Sequence, residues 1–319
     1  MANERTQTSQ RPEGRRLEGR RLEVRPVTGA IGAELAGVDL AHELDAETVA
    51  DIRRALLEHK VVFFRDQALD YESQVAFARR FGTLTLGHPT IESPPDQPLL
   101  EEVDSASGAP AADWHTDVTF LDQPVSFTFL RGVVIPDVGG DTVWANTVNA
   151  YETLSPELRE LADSLRIVHT NVHPDTRIDG GRAEAHPEWA ESARQFASTI
   201  YRAEHPLVRV HPETGNRALL LGGFALRVVG YPNELSRSVI RTLQDAVTRP
   251  ENTVRWHWHT GDLAIWDNRS TQHCAVVDYG NARRRCERVT IAGETPVGVD
   301  GRPGLSLRGD ASTFYAGAA

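Results

Sequence analysis

Beyond Val125 the chain is a succession of short β-like runs, each stopped by Gly, Pro or Asp: Ser126 to Val134, Thr142 to Ala145, Arg166 to His169, Leu207 to Val210, Arg217 to Leu221, Val254 to Trp258, Leu263 to Trp266 and Arg288 to Ala292. Runs of this length, rich in Val, Ile, Trp and Thr, read as strands. Helical segments are inserted among them, notably Ser155 to Ser164 and Leu235 to Val247. Strands this short and this frequent predict a mainly β chain with inserted helices, a jelly-roll or other double-sheet barrel in place of a parallel βαβ fold. No GxGxxG follows a strand and no GxxxxGK[ST] occurs, so nucleotide-binding loops are excluded.

Upstream, Leu22 to Val27 alternates like a strand, and Asp45 is placed to cap an amphipathic helix through His59 whose apolar positions Val49, Ile52 and Leu56 recur at helical spacing. Val61 to Phe64 reads as a short buried strand, and Tyr71 to Phe81 as a second helix. The polar, Pro-rich stretch from His88 to Ala112 has no period and is expected to be a long excursion of the kind that forms active-site lids. The tandem GRRLE GRRLE of Gly14 to Glu23 buries no face by itself. Residues 1–21 are therefore expected to be a disordered basic tail, and 22–319 one elaborated domain.

The formal net charge of −11 repels a phosphate backbone, and no Lys/Arg stripe interleaved with aromatics offsets it, so nucleic acid is not an expected partner. Cys274 and Cys286 are too few for a disulfide framework and form no CxxC. Neither a signal-peptide core nor a membrane-spanning apolar run is present, which predicts a soluble, cytoplasmic protein without a membrane partner.

Chemistry is concentrated in two places. Trp114-His115-Thr116-Asp117 sets an imidazole and a carboxylate two residues apart, which on an extended backbone point to the same side. Trp266-Asp267-Asn268-Arg269-Ser270-Thr271-Gln272-His273 supplies a second histidine just after a strand-like run. Two His and one carboxylate on one face of iron(II) leave three positions for a bidentate cosubstrate and dioxygen. Eleven and fifteen residues beyond His273 lie Arg284 and Arg288, whose guanidinium forks suit carboxylate, sulfonate or sulfate oxygens.

From about Val24 to about Val297 the chain resembles the taurine dioxygenase and 2,4-dichlorophenoxyacetate dioxygenase family of iron(II)/2-oxoglutarate oxygenases, and within it the alkylsulfatase-type members. The resemblance rests on IGAELAGVDL, KVVFFRDQ, WHTDVTF, GGDTVWAN, HPLVRVHPETG, PENTVRW, WDNRSTQH and ERVTIAGE. It implies a double-stranded β-helix core, with His115, Asp117 and His273 as iron ligands. It also implies that Arg284 pairs with the distal carboxylate of 2-oxoglutarate and that Thr142 hydrogen-bonds the same cosubstrate. Arg288 would clamp a substrate anion with help from His88, and Phe224 would wall the pocket. Iron(II), 2-oxoglutarate and dioxygen would be required, the substrate would be a small anionic molecule, and a homo-oligomer, dimer or tetramer, is expected.

Taurine-using members place a tyrosine and an asparagine where this chain has Ile91 and Ala111. Apolar groups there give an ammonium no partner and suit a hydrocarbon tail, so an alkyl sulfate ester or a sulfonate is the expected substrate. Two alternatives are a hydroxylase or desaturase of a carboxylated secondary metabolite and a non-catalytic jelly-roll binding protein; a zinc hydrolase is weaker. Trp114, Trp144, Trp256, Trp258 and Trp266 are read as packing, and His257 and His259 as structural.

Overall fold

The computed structural model describes residues 22–172 and 189–315, together with the backbone of Arg15–Arg16. The larger sheet runs edge to edge through Arg15–Arg16, Glu23–Pro26, Ala33–Ala36, Val61–Phe64, Leu263–Asp267, Phe127–Val134, Arg285–Thr290 and Glu101–Asp104. All its pairings are antiparallel except Ala33–Ala36 with Val61–Phe64. A three-stranded sheet of Thr253–Trp256, Thr142–Asn146 and Thr271–Ala275 lies across from it. The space between the two is filled by Val61, Phe63, Leu130, Trp144, Val254, Trp256, Ala264, Trp266 and Cys286. Two facing sheets closed over one apolar filling form the jelly-roll core.

Period-two geometry explains why the central strands are apolar throughout. Val61 and Phe63 face the intersheet core, while Val62 and Phe64 point outward against the helices Ala46–His59 and Tyr71–Ala78. Phe63 stacks on Trp256 at 4.0 Å between ring centroids, so the tryptophan-rich strands are the filling of the barrel. Asp45 accepts a hydrogen bond from the Thr48 amide at 2.7 Å, and Val49, Ile52 and Leu56 are buried, as their spacing predicts. A third core packs the outer face of the smaller sheet against the helices Pro156–Ser164 and Asn233–Val247.

Several strands escape the sequence reading. Glu101–Asp104 lies inside the stretch expected to be an excursion, and pairs with Arg285–Thr290 at the sheet edge. Its residues are charged because its partner is: Arg288 faces Glu101 across the ladder, Arg285 pairs with Glu102, and Arg283 with Asp104. Arg202–Pro206, Ala225–Val228 and Leu305–Arg308 join Arg166–Thr170 in a four-stranded sheet. Most of the expected basic tail lies outside the described residues. Among the described residues no helix is long and apolar enough to cross a membrane.

Candidate metal centre and anion pocket

The hairpin from Leu263–Asp267 to Thr271–Ala275 is fixed at its turn by Asp267. Its carboxylate accepts from the Arg269 side chain at 2.8 and 2.9 Å and from His211 Nε2 at 2.8 Å, and its carbonyl accepts from Thr271 Oγ1 at 2.9 Å. The strand it launches places His273 opposite Trp144, with its ring 4.6 Å from that of Trp266. His273 thus sits in the middle of a second strand, not just after the first as its polar neighbours suggest. Thr271, Gln272, His273 and Cys274 are all buried, His273 packing on Trp266 and Gln272 hydrogen-bonding Gln244 on the helix Asn233–Val247.

His115 reaches the same place through an isolated antiparallel bridge to His273, each amide donating to the other's carbonyl at 3.0 and 2.8 Å. The backbone does not continue extended to Asp117, as expected from the two-residue spacing. It turns there, with Val118 at φ 45°, and the turn swings the Asp117 carboxylate beneath both imidazoles. Asp117 Oδ1 is 3.7 Å from His115 Nε2 and 3.7 Å from His273 Nε2, and one ligand atom from each residue lies within 4.8 Å of the others.

The protonation pattern suits a cation. His115 Nδ1 donates to the Asp113 carbonyl at 2.7 Å, which leaves Nε2 with its lone pair directed inward. Burial holds both imidazoles below their usual range, His273 at about 3 with the neighbouring His115 adding to the effect. Burial alone raises the carboxyl of Asp117, but Arg288 and the two histidines more than offset it and hold it well below the ordinary carboxylate range. Asp117 Oδ2 accepts from Thr128 Oγ1 at 2.7 Å, which in turn accepts from Asn268 Nδ2 at 2.8 Å. The inward His115 Nε2, the neutral imidazole of His273 and one oriented carboxylate are the donor set of a divalent cation with an open face.

Arg284 and Arg288 both face the intersheet space, as alternation along Arg285–Thr290 requires. Arg284 is buried, donates from Nε to the Gly140 carbonyl at 2.7 Å and from Nη2 to Thr142 Oγ1 at 3.2 Å, and pairs with no carboxylate among the described residues. Gly140, at φ 70°, turns its carbonyl to that guanidinium. A buried guanidinium left without a counter-ion is costly and marks a place for an anion. Thr142 Oγ1 accepts from Arg284 and from Trp258 Nε1 at 3.0 Å, so both acceptor positions are used and its hydroxyl proton remains to be donated. Trp258, read from sequence as packing, orients that hydroxyl.

Arg288 is more committed than its sequence position suggests: Nη1 donates to Asp117 Oδ1 at 2.8 Å and Nη2 to the Glu101 carboxylate. Glu101 has no motif to mark it. His88 Nδ1 accepts from the Thr90 and Ile91 amides, each at 3.1 Å. Burial, then Arg288, push its pKa down to about 3, so the neutral ring carries its proton on Nε2 as a donor. Phe224 meets the His115 ring edge-on at 5.8 Å and Phe120 at 5.0 Å. Phe196, at the end of the helix Ala190–Phe196, lies 6.4 Å from Phe224 and 5.6 Å from His88, completing an aromatic wall the sequence did not reveal. His257 binds Asp141 at 2.8 Å, away from the convergent set.

Residues 23–290 match the family model described as taurine catabolism dioxygenase TauD, TfdA family. An alpha-ketoglutarate-dependent sulfate ester dioxygenase of Pseudomonas putida is 51% identical over 292 residues, covering 89% of this chain and 94% of that protein. An alkylsulfatase of Acinetobacter baylyi is 48% identical over 283 residues, covering 88% of each. The crystal structure of a taurine dioxygenase from Burkholderia xenovorans superposes with a TM-score of 0.79 at 41% identity, covering 93% of this chain and 99% of that one.

Proposed function

Because the chain belongs to the taurine catabolism dioxygenase TauD, TfdA family and is a 2-oxoglutarate-dependent dioxygenase, we propose that it oxidises alkyl sulfate esters at an iron(II) held by His115, Asp117 and His273. The observation that carries this reading is the convergence of those three donors, together with a buried guanidinium, Arg284, that pairs with no carboxylate among the described residues. Alpha-ketoglutarate and 2-oxoglutarate are the same compound. Bound iron supplies the oxidation: one oxygen atom of dioxygen goes to succinate as 2-oxoglutarate loses carbon dioxide, and the other enters a substrate C–H bond as hydroxyl.

The protein's own groups do the positioning. Arg284 pairs with the far carboxylate of 2-oxoglutarate, and the Thr142 hydroxyl donates its remaining proton to the same group. Arg288 and the His88 Nε2 proton receive the sulfate oxygens. The wall of Phe120, Phe196 and Phe224 excludes water and lines the hydrocarbon, which suits the apolar Ile91 and Ala111 positions better than an ammonium. Hydroxylation at the carbon bearing the ester oxygen leaves a hemiacetal-like sulfate. Loss of the hydroxyl proton then forms the carbonyl as the carbon–oxygen bond to sulfate breaks, releasing an aldehyde and inorganic sulfate. The same oxidation on a sulfonate would release sulfite.

The test is succinate formation with iron(II), ascorbate and 2-oxoglutarate across alkyl sulfates, alkyl sulfonates and hydrophobic carboxylates, with sulfate and sulfite assayed in the same tubes. Succinate and sulfate appearing in equal amounts with an alkyl sulfate is the expected result. Succinate with carboxylates alone would move the substrate to a carboxylated metabolite, and no succinate with any compound would overturn the enzymatic reading.

A further inference from the structure

The buried Asp117 and the largely covered Arg288 and Glu101, whose side chains are each 12% exposed, form a chain of one cation between two anions. Arg288 and Glu101 stand directly opposite each other where the edge strand Glu101–Asp104 pairs with Arg285–Thr290, so the contact is built into the register of the sheet. Arg288 gives Nη2 to Glu101 and Nη1 to Asp117, while its Nε is buried without a hydrogen-bond partner among the described residues. The guanidinium therefore has donor capacity left but its charge is already more than matched. Burial and the nearby Asp117 charge raise the Glu101 carboxyl and the Arg288 guanidinium opposes them. With the Arg288–Glu101 ion pair formed, Asp117, Glu101, Arg284 and Arg288 sum to zero, and without Glu101 the Arg284 cation would be in excess. A divalent cation and doubly charged 2-oxoglutarate also sum to zero. Every negative charge on the incoming substrate is then unmatched.

We propose that Glu101 is a specificity-determining residue which restricts the Arg288 pocket to singly charged anions and rejects doubly charged ones. The inference rests on the reading of the pocket as the seat of an alkyl sulfate. A sulfate monoester carries one negative charge, whereas an alkyl phosphate of the same shape carries nearly two at neutral pH. The repulsion between Glu101 and the ligand grows in proportion to ligand charge, and in a buried site it is far less screened than in water. The same device acts on the product. Cleavage of the sulfate ester turns a monoanion into inorganic sulfate, a dianion, so the group that tolerates the substrate expels what remains of it.

The experiment compares the wild-type enzyme with Glu101→Gln, loaded with iron(II) and 2-oxoglutarate, using hexyl sulfate as substrate and hexyl phosphate and inorganic sulfate as inhibitors. Glutamine keeps an oxygen to accept from Arg288 and removes only the charge. Glu101→Gln is expected to lower the inhibition constants of both dianions by roughly tenfold more than it lowers the KM for hexyl sulfate. Glu102→Gln, the same charge change on the neighbouring partly exposed residue, is expected to move neither. In the wild-type enzyme alone, methyl hexyl phosphate, a monoanion, is expected to inhibit more strongly than hexyl phosphate despite its extra methyl group. An unchanged ratio in Glu101→Gln, or equal inhibition by the two phosphates, overturns the proposal and leaves the function standing. Absence of hexyl sulfate turnover by the wild type overturns the function and this inference with it.

Discussion

His115 and His273 exchange backbone hydrogen bonds across a single antiparallel bridge, so the separation of their imidazoles is set by main-chain geometry. Gly222 lies against this bridge at φ 109°, where a Cβ would stand 3.0 Å from His115 Cα and 3.0 Å from the Trp114 carbonyl. Gly222→Ala is expected to cost about 1–3 kcal/mol of stability and to weaken iron(II) or cobalt(II) binding, read by metal titration together with the melting temperature. Wild-type affinity in the variant would show that the bridge tolerates displacement.

Thr128 holds Asp117 Oδ2 and is itself held by Asn268. Thr128→Val keeps the shape and removes both hydrogen bonds, and should lower metal affinity by roughly 10- to 100-fold, while Thr128→Ser should restore most of it. Equal affinities for the three proteins would remove Thr128 from the centre.

Arg284→Lys keeps the charge but loses the fork that reaches Gly140 and Thr142. A rise in KM for 2-oxoglutarate of roughly 10- to 100-fold is expected, with little change in KM for the alkyl sulfate. A larger change for the alkyl sulfate would transfer Arg284 to the substrate side.

Phe196 contributes apolar surface beside Phe224 and His88. Phe196→Ala should raise KM for long-chain alkyl sulfates by about tenfold and leave the shortest ones nearly unaffected, since the loss scales with apolar area removed from water. A uniform rise across chain lengths would place Phe196 at the anion end.

Acid stability follows from His205, buried with Nε2 donating to the Thr119 and Leu121 carbonyls at 2.9 and 3.0 Å. Burial lowers its pKa from 6.5 to about 4. The unfolded chain takes up the proton below about pH 6.5 and the folded chain only below about 4, so stability falls as pH drops through that window, by about 3 kcal/mol for this group. His205→Gln should flatten the fall in melting temperature between those limits. An unaltered slope would assign the acid sensitivity elsewhere.

What could be read from sequence was what is decided locally. The Asp45 cap and the Val49, Ile52, Leu56 stripe depend on residues within one or two turns, and the short apolar run Val61 to Phe64 needs no partner to be recognised as a buried strand. Spacing within motifs marked His115, Asp117 and His273, which do converge, and the family resemblance pointed to Thr142, Arg284, Arg288, His88 and Phe224. Glu101 and Phe196 belong to no motif. Glu101 matters only because the sheet registers it opposite Arg288, more than 180 residues away in sequence, and Phe196 because a short helix brings it over Phe224. The strand Thr271–Ala275 was hidden for a related reason, since its polar residues find their partners only in the fold: His273 at the metal centre, Gln272 at Gln244 and Thr271 at the Asp267 carbonyl.

With the proposed pairing of Arg284 and 2-oxoglutarate, a guanidinium that meets no carboxylate among the described residues would tie the lifetime of the protein to the supply of its cosubstrate. A ligand that neutralises a buried cation binds the folded chain alone, and stabilises it by about 2.7 kcal/mol when present at a hundred times its dissociation constant. A cell short of 2-oxoglutarate would hold a larger fraction of this chain in open, protease-accessible forms, so pulse proteolysis with and without the cosubstrate should reveal abundance control written into a single side chain.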